Sequence, residues 1–222
     1  MSIAPRAQYV VALGLASVVS AGFLLGEMAA GQGLVHAYLL WNLFLAWVPF
    51  VLALCLRNTL RHKLWSSWEA LSLSVAWLFF LPNSFYMVSD FIHLNEVDPA
   101  QALLSSVTFT SFILTGVVLG ISSLYLVHLE FLKRLNQRDA NVLVGILLLA
   151  SSVAIYIGRD LRWNTWDVLV NPMGLLFDLS ERLLHPSQYG QVLAVVIPFF
   201  ILLCSMYGIV WQTLRVSKDI KR

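Results

Sequence analysis

At 222 residues, with 59% apolar and only 12% charged side chains and a mean hydropathy of +0.78, the chain lies far from the soluble balance of about 45–50% apolar and about 25% charged. That composition excludes a water-soluble globular core. A formal net charge of +2 is too small to mark a nucleic-acid surface. Cys55 and Cys204 both fall inside apolar runs, match no metal or redox spacing, and read as small buried hydrophobes.

Six apolar runs are long enough to cross a bilayer, which takes about 20 residues each. In chain order they cover about residues 7–30, 36–56, 68–88, 102–128, 141–158 and 191–213. The fold class expected is an all-α polytopic transmembrane bundle of six spans. Loops this short leave no room for a separate soluble domain, so residues 1–222 read as a single membrane domain. The first run follows Arg6 and ends near the small residues Ala29, Ala30 and Gly31, faintly like a secretory signal. Its apolar stretch exceeds the roughly 7–15 residues of a signal core, and it is expected to stay as a span.

Eleven of the 14 lysines and arginines fall on one side of this arrangement. They are Arg6, then Arg57, Arg61 and Lys63, then Lys133, Arg134 and Arg138, and finally Arg215, Lys218, Lys221 and Arg222. The loop after the third span carries Asp90, Glu96 and Asp98 and no lysine or arginine. By the positive-inside rule both termini are cytoplasmic, and the expected location is a cell membrane, inner or plasma. Trp41, Trp65, Trp68, Trp163, Trp166 and Trp211 sit near predicted span ends, as an interfacial belt requires.

Polar residues gather at the ends of two spans. After Phe80-Leu81-Pro82, the residues Asn83, Tyr86, Asp90 and His93 fall within an arc of roughly 80° on a helix turning ~100° per residue. Pro82 removes an intrahelical hydrogen bond where this stripe begins. The fifth span runs into Gly158-Arg159-Asp160-Leu161-Arg162-Trp163-Asn164-Thr165-Trp166-Asp167. Its positive charges lie on the side that topology keeps poor in them, so Arg159 and Arg162 need partners: Asp160 and Asp167 nearby, or Asp90 across the bundle. Asn42, entering with Trp41 from the same outer side, could face the same site. Asn171-Pro172 then reads as an N-cap and first turn. Leu175, Leu176, Leu179 and Leu183 share one face behind it, which predicts a short interfacial helix in the last outer loop.

The aromatic-Leu-Pro-Asn segment before Tyr86, Asp90 and His93, together with Gly-Arg-x-Leu-Arg-Trp-Asn-x-Trp-Asp at 158–167, resembles domain-of-unknown-function family 1361, a set of bacterial multipass membrane proteins. The resemblance runs from about Trp41 to the last span. It implies a membrane protein and carries no catalytic residue, cofactor or substrate.

Residue chemistry leaves three function classes open. An outer-leaflet enzyme could use Asp90 and His93, three apart, as two ligands of a divalent metal such as Zn²⁺, with Asp160 or Asp167 as a third. Without metal the same His–Asp pair could act as general base, while Arg159 and Arg162 hold a phosphate or carboxylate. A transporter would need charges in mid-membrane, and the spans carry mainly Asn42 and Asn83 there. A noncatalytic protein would use Asn83, Tyr86, Arg159, Arg162, Asn164 and Trp166 to bind an anionic lipid or a small molecule, or simply to tie helices together. Apart from the lipid bilayer, partners and cofactors are unassigned. His36, His62, His128 and His185 lie at predicted interfaces and read as solvated.

Overall fold

The computed structural model describes residues 5–97, 99–160, 170–171, 173–174, 177, 180–181 and 191–219. Six α-helices dominate, and no strand occurs among the described residues. They are α1 (Pro5–Glu27), α2 (Tyr38–Thr59), α3 (Trp68–Tyr86), α4 (Ala102–Phe131), α5 (Gln137–Asp160) and α6 (Gln191–Asp219). A π-helical turn, Met28–Gln32, follows α1, and a 3₁₀ segment, Met87–Glu96, continues α3. All six helices are long and apolar enough to cross a membrane, with the third crossing running from Trp68 through Asn95.

Local sequence explains several boundaries. Ser67 caps α3 by accepting the Ala70 amide at 3.4 Å, and Glu69 follows in the first turn, where the helix dipole favours an anion. Asn136 caps α5 in the same way, accepting the Asp139 amide at 2.8 Å while its own amide meets the Asp139 carboxylate at 2.8 Å. Between α1 and α2 the chain turns through Gly31 and Gly33, whose φ angles of 98° and 63° are strained for any residue with a side chain.

α4 is the central helix. It packs against α1, α2 and α3, and it is the most buried of the six crossings. Three of these helices are stitched by side chains that would otherwise be stranded in an apolar medium. Trp77 of α3 donates to Ser123 of α4 at 2.7 Å, and Ser123 in turn donates to the Pro49 carbonyl of α2 at 2.8 Å. Ser84 of α3 reaches the Ala46 carbonyl at 3.2 Å. Because no water competes in hydrocarbon, such bonds between helices take over part of the work that apolar burial does in soluble proteins.

Close approach of α3 to α4 depends on Gly116 and Gly120. A Cβ at Gly116 would sit 2.3 Å from Met87 Sδ, and one at Gly120 would sit 2.7 Å from Ser84 Cβ and 2.8 Å from the Phe85 ring. The four-residue spacing puts both glycines on one helical face, the small-xxx-small arrangement that lets membrane helices touch backbone to backbone. This pair positions the start of the 3₁₀ segment.

Two expectations need correction. Cys55 is exposed on the outside of the bundle, and Cys204 is only partly buried. In a bilayer the outward surface is as apolar as the interior, so lying within a span does not imply burial. His36 and His128 are also not solvated: both are buried, at 6% and 1% exposure. His36 Nδ1 meets Glu27 Oε2 at 3.1 Å, while His128 Nδ1 pairs with the Tyr207 hydroxyl at 2.8 Å and stacks on Trp211.

Candidate functional site

The polar stripe predicted on a continuous α-helix is divided. Asn83 and Tyr86 belong to α3, while Asp90 and His93 lie on the 3₁₀ segment. Ten residues is long for a 3₁₀ run, which rarely exceeds three or four. Side chains competing for its carbonyls give a physical reason. Ser89 Oγ donates to the Tyr86 carbonyl at 2.7 Å, and the Arg159 guanidinium of α5 donates to the Ser89 carbonyl at 2.7 Å. Both acceptors are thus engaged by groups outside the α-helical ladder. With ~120° per residue, Asp90 and His93 stand one above the other, closer in azimuth than an α-helix would place them.

Asp90 is the centre of the site. It is 3% exposed, and its Oδ2 accepts the Asn42 side-chain amide of α2 at 3.0 Å. The amide near the start of α2 therefore does face this cluster. Arg159 reaches the backbone immediately before Asp90 and does not clasp its carboxylate. Both Arg159 and His93 nonetheless lie within electrostatic range of that carboxyl. The His93 ring packs edge-on against Tyr38, with centroids 5.6 Å apart. Asn83 turns back on its own helix, donating to the Phe80 carbonyl at 3.2 Å, so it lines α3 instead of joining Asp90. Tyr86 is partly buried and packs against the main apolar core.

Sequence reasoning missed Glu27 and His36. Glu27 is 1% exposed, and His36 touches Phe109 at 4.9 Å and Tyr38 at 6.4 Å between centroids. Tyr38 thereby links this acid–imidazole pair to His93. The signal was available: an acid and a histidine nine residues apart flank a glycine-containing turn, so the turn can fold one onto the other.

Arg162, Asn164, Trp166 and Asp167 lie outside the described residues, as does the side chain of Asp160. Most of the interfacial helix expected after Asn171 also lies outside them. Asn171 itself is described, and its Oδ1 accepts the Gly174 amide at 3.0 Å, the bond expected of an N-cap. Among the described residues, no three His, Cys, Asp or Glu side chains are grouped to hold a metal ion. Asp90 and His93 offer two ligands; the third that a catalytic zinc would need was expected from Asp160 or Asp167, whose side chains lie outside the described residues.

Chemically, the cluster combines an anchored carboxyl, an imidazole, and a guanidinium that has used one of its five N–H donors on a backbone carbonyl. Residues 41–206 match the family model described as protein of unknown function (DUF1361). No curated protein and no solved structure matches the chain.

Proposed function

We propose that this chain, which belongs to the DUF1361 family of proteins of unknown function, is a multipass membrane protein that binds a phosphate- or carboxylate-bearing ligand beside Asp90 and Arg159. The observation that carries this reading is the convergence of α2 and α5 on the 3₁₀ segment at buried Asp90, Asn42 bonding its carboxyl and Arg159 the backbone carbonyl just before it. An ionisable side chain is expensive inside a membrane bundle, and where one occurs it commonly marks a binding or transfer site. Here Asn42 fixes Asp90, and Arg159 is held by the Ser89 carbonyl. The remaining guanidinium donors suit a planar or tetrahedral oxyanion, with the sequence neighbour Arg162 supplying further positive charge.

Positive-inside counting supports an extracytoplasmic position for this site and cytoplasmic termini. Together with the apolar spans it supports a single membrane domain in a cell's inner or plasma membrane. The ligand on this reading is a lipid headgroup or a free small anion of the same chemistry.

The test is calorimetric titration of the detergent-purified protein with glycerol phosphate, a soluble headgroup, beside a long-chain phosphatidylglycerol. Wild type binds, and Arg159→Ala weakens binding by about tenfold or more, since hydrogen bonds to charged groups are worth about 1.5–3 kcal/mol. Arg159→Lys retains part of the affinity. Binding of the long-chain lipid alone identifies a headgroup site, and binding of both identifies a free-anion site. Equal binding by wild type and Arg159→Ala overturns the proposal.

The vertical alignment of Asp90 and His93 favours a second reading, acid–base catalysis on the bound headgroup. It requires slow release of headgroup by wild type and none by His93→Ala, measured on phosphatidylglycerol in mixed micelles.

A further inference from the structure

The other end of the same helices carries a feature that the Asp90 site does not use. A cavity of about 410 Å³ opens between α1, α2, α4 and α6. That volume is in the range of about 300–1,000 Å³ usual for small-molecule sites. Its walls are almost wholly apolar, formed by residues such as Leu54, Ile121, Leu126, Val210 and Leu214. Tyr9 of α1 closes one side by hydrogen bonding to Ser122 of α4 at 2.5 Å.

Arg57 lines the same cavity, and its surroundings carry an excess of positive charge. Glu130 is buried and is approached by three cations: Arg57 Nε at 3.6 Å, Lys133 at 2.6 Å and Arg134 at 3.1 Å. One carboxylate cannot neutralise all three. The contact from Arg57 runs through Nε and exceeds hydrogen-bond length, so its terminal N–H donors remain for another acceptor. On the far wall, the lining residue Tyr125 packs against Trp211, and the guanidinium of Arg215 lies over that indole at 5.8 Å.

We propose that this groove holds one anionic phospholipid, an acyl chain lying between α1 and α6 and the phosphate beside Arg57. The pairing of an apolar slot with an under-neutralised basic rim is the complement of such a lipid. Basic pockets between transmembrane helices on the cytoplasmic side take anionic headgroups by this chemistry, and positive-inside counting assigns this end to the cytoplasm. A zwitterionic lipid would fill the slot but gain little from Arg57.

The experiment is native mass spectrometry of the delipidated full chain in neutral detergent, titrated with phosphatidylglycerol or with phosphatidylcholine of the same acyl chains. The expected result is a one-lipid adduct appearing at about tenfold lower concentration for phosphatidylglycerol. Arg57→Gln abolishes this preference, and Arg57→Lys keeps it. Leu54→Trp, which fills the slot from an exposed position, removes the adduct. Arg159→Ala leaves the adduct unchanged, and excess glycerol phosphate does not displace it, which separates this groove from the Asp90 site. The proposal is overturned if the two lipids bind alike, if the preference survives both Arg57→Gln and Leu54→Trp, or if the groove instead seats a second copy, read as a dimer mass that Leu54→Trp dissolves.

Discussion

Asn42 and Asp90 show how much a single contact matters where no water can replace it. Removing the amide while keeping the side-chain volume, as in Asn42→Leu, leaves the buried Asp90 oxygen without its donor. The expected cost is about 1–3 kcal/mol, read as a lower unfolding midpoint of the purified protein in detergent. The same substitution should leave lipid binding at the Arg57 groove intact. Asn42 and Asp90 were legible from sequence because both are polar groups entering apolar spans from one side. Glu27 and His36 were not read as a pair, because their nearness to predicted span ends suggested solvent, whereas burial depends on which face of the bundle a residue meets. His128 was misread for the same reason: Tyr207 and Trp211, which enclose it, come from a helix about 80 residues further along the chain.

Among elements, six helices were readable because crossing a bilayer demands long apolar runs with every backbone group satisfied internally. Their ends ran longer than hydropathy alone suggested, with α4 reaching Phe131 and the third crossing reaching Asn95. The 3₁₀ segment was not readable. An i,i+3 spacing such as Asp90 to His93 suits a period of 3.0 or of 3.6 residues, and one of the donors that tighten this stretch, Arg159, comes from α5. The spacing Gly116-x-x-x-Gly120 was visible in the sequence, yet only the packing shows that α3 presses on it. Gly120→Leu should force α3 and α4 apart and destabilise the fold by about 1–3 kcal/mol or more. Thermal unfolding followed by circular dichroism measures this, and Gly145→Leu, where nothing lies near the added Cβ, is the control expected to change little.

Across the whole molecule, charge is distributed asymmetrically. Glu130 gathers Arg57, Lys133 and Arg134 at one end, and Asp90 with Arg159 marks the other. Single cysteines placed at Asp98 and Arg138, in a background lacking Cys55 and Cys204, report the orientation. An impermeant thiol reagent applied to intact cells should label the first and spare the second. Labelling of Arg138→Cys alone would invert the bundle, and with it the assignment of both sites to their leaflets.

The tight coil after Tyr86 also acts as a ruler. A 3₁₀ helix advances ~2.0 Å per residue and an α-helix ~1.5 Å, so Met87 to Glu96 reaches about 5 Å farther than the same ten residues would as α-helix. Both the height at which the acidic loop leaves the bundle and the stacking of Asp90 under His93 are therefore set by one backbone choice. Relaxing that coil would lower the loop and swing the imidazole about 60° off the carboxyl, changing length and alignment in a single movement.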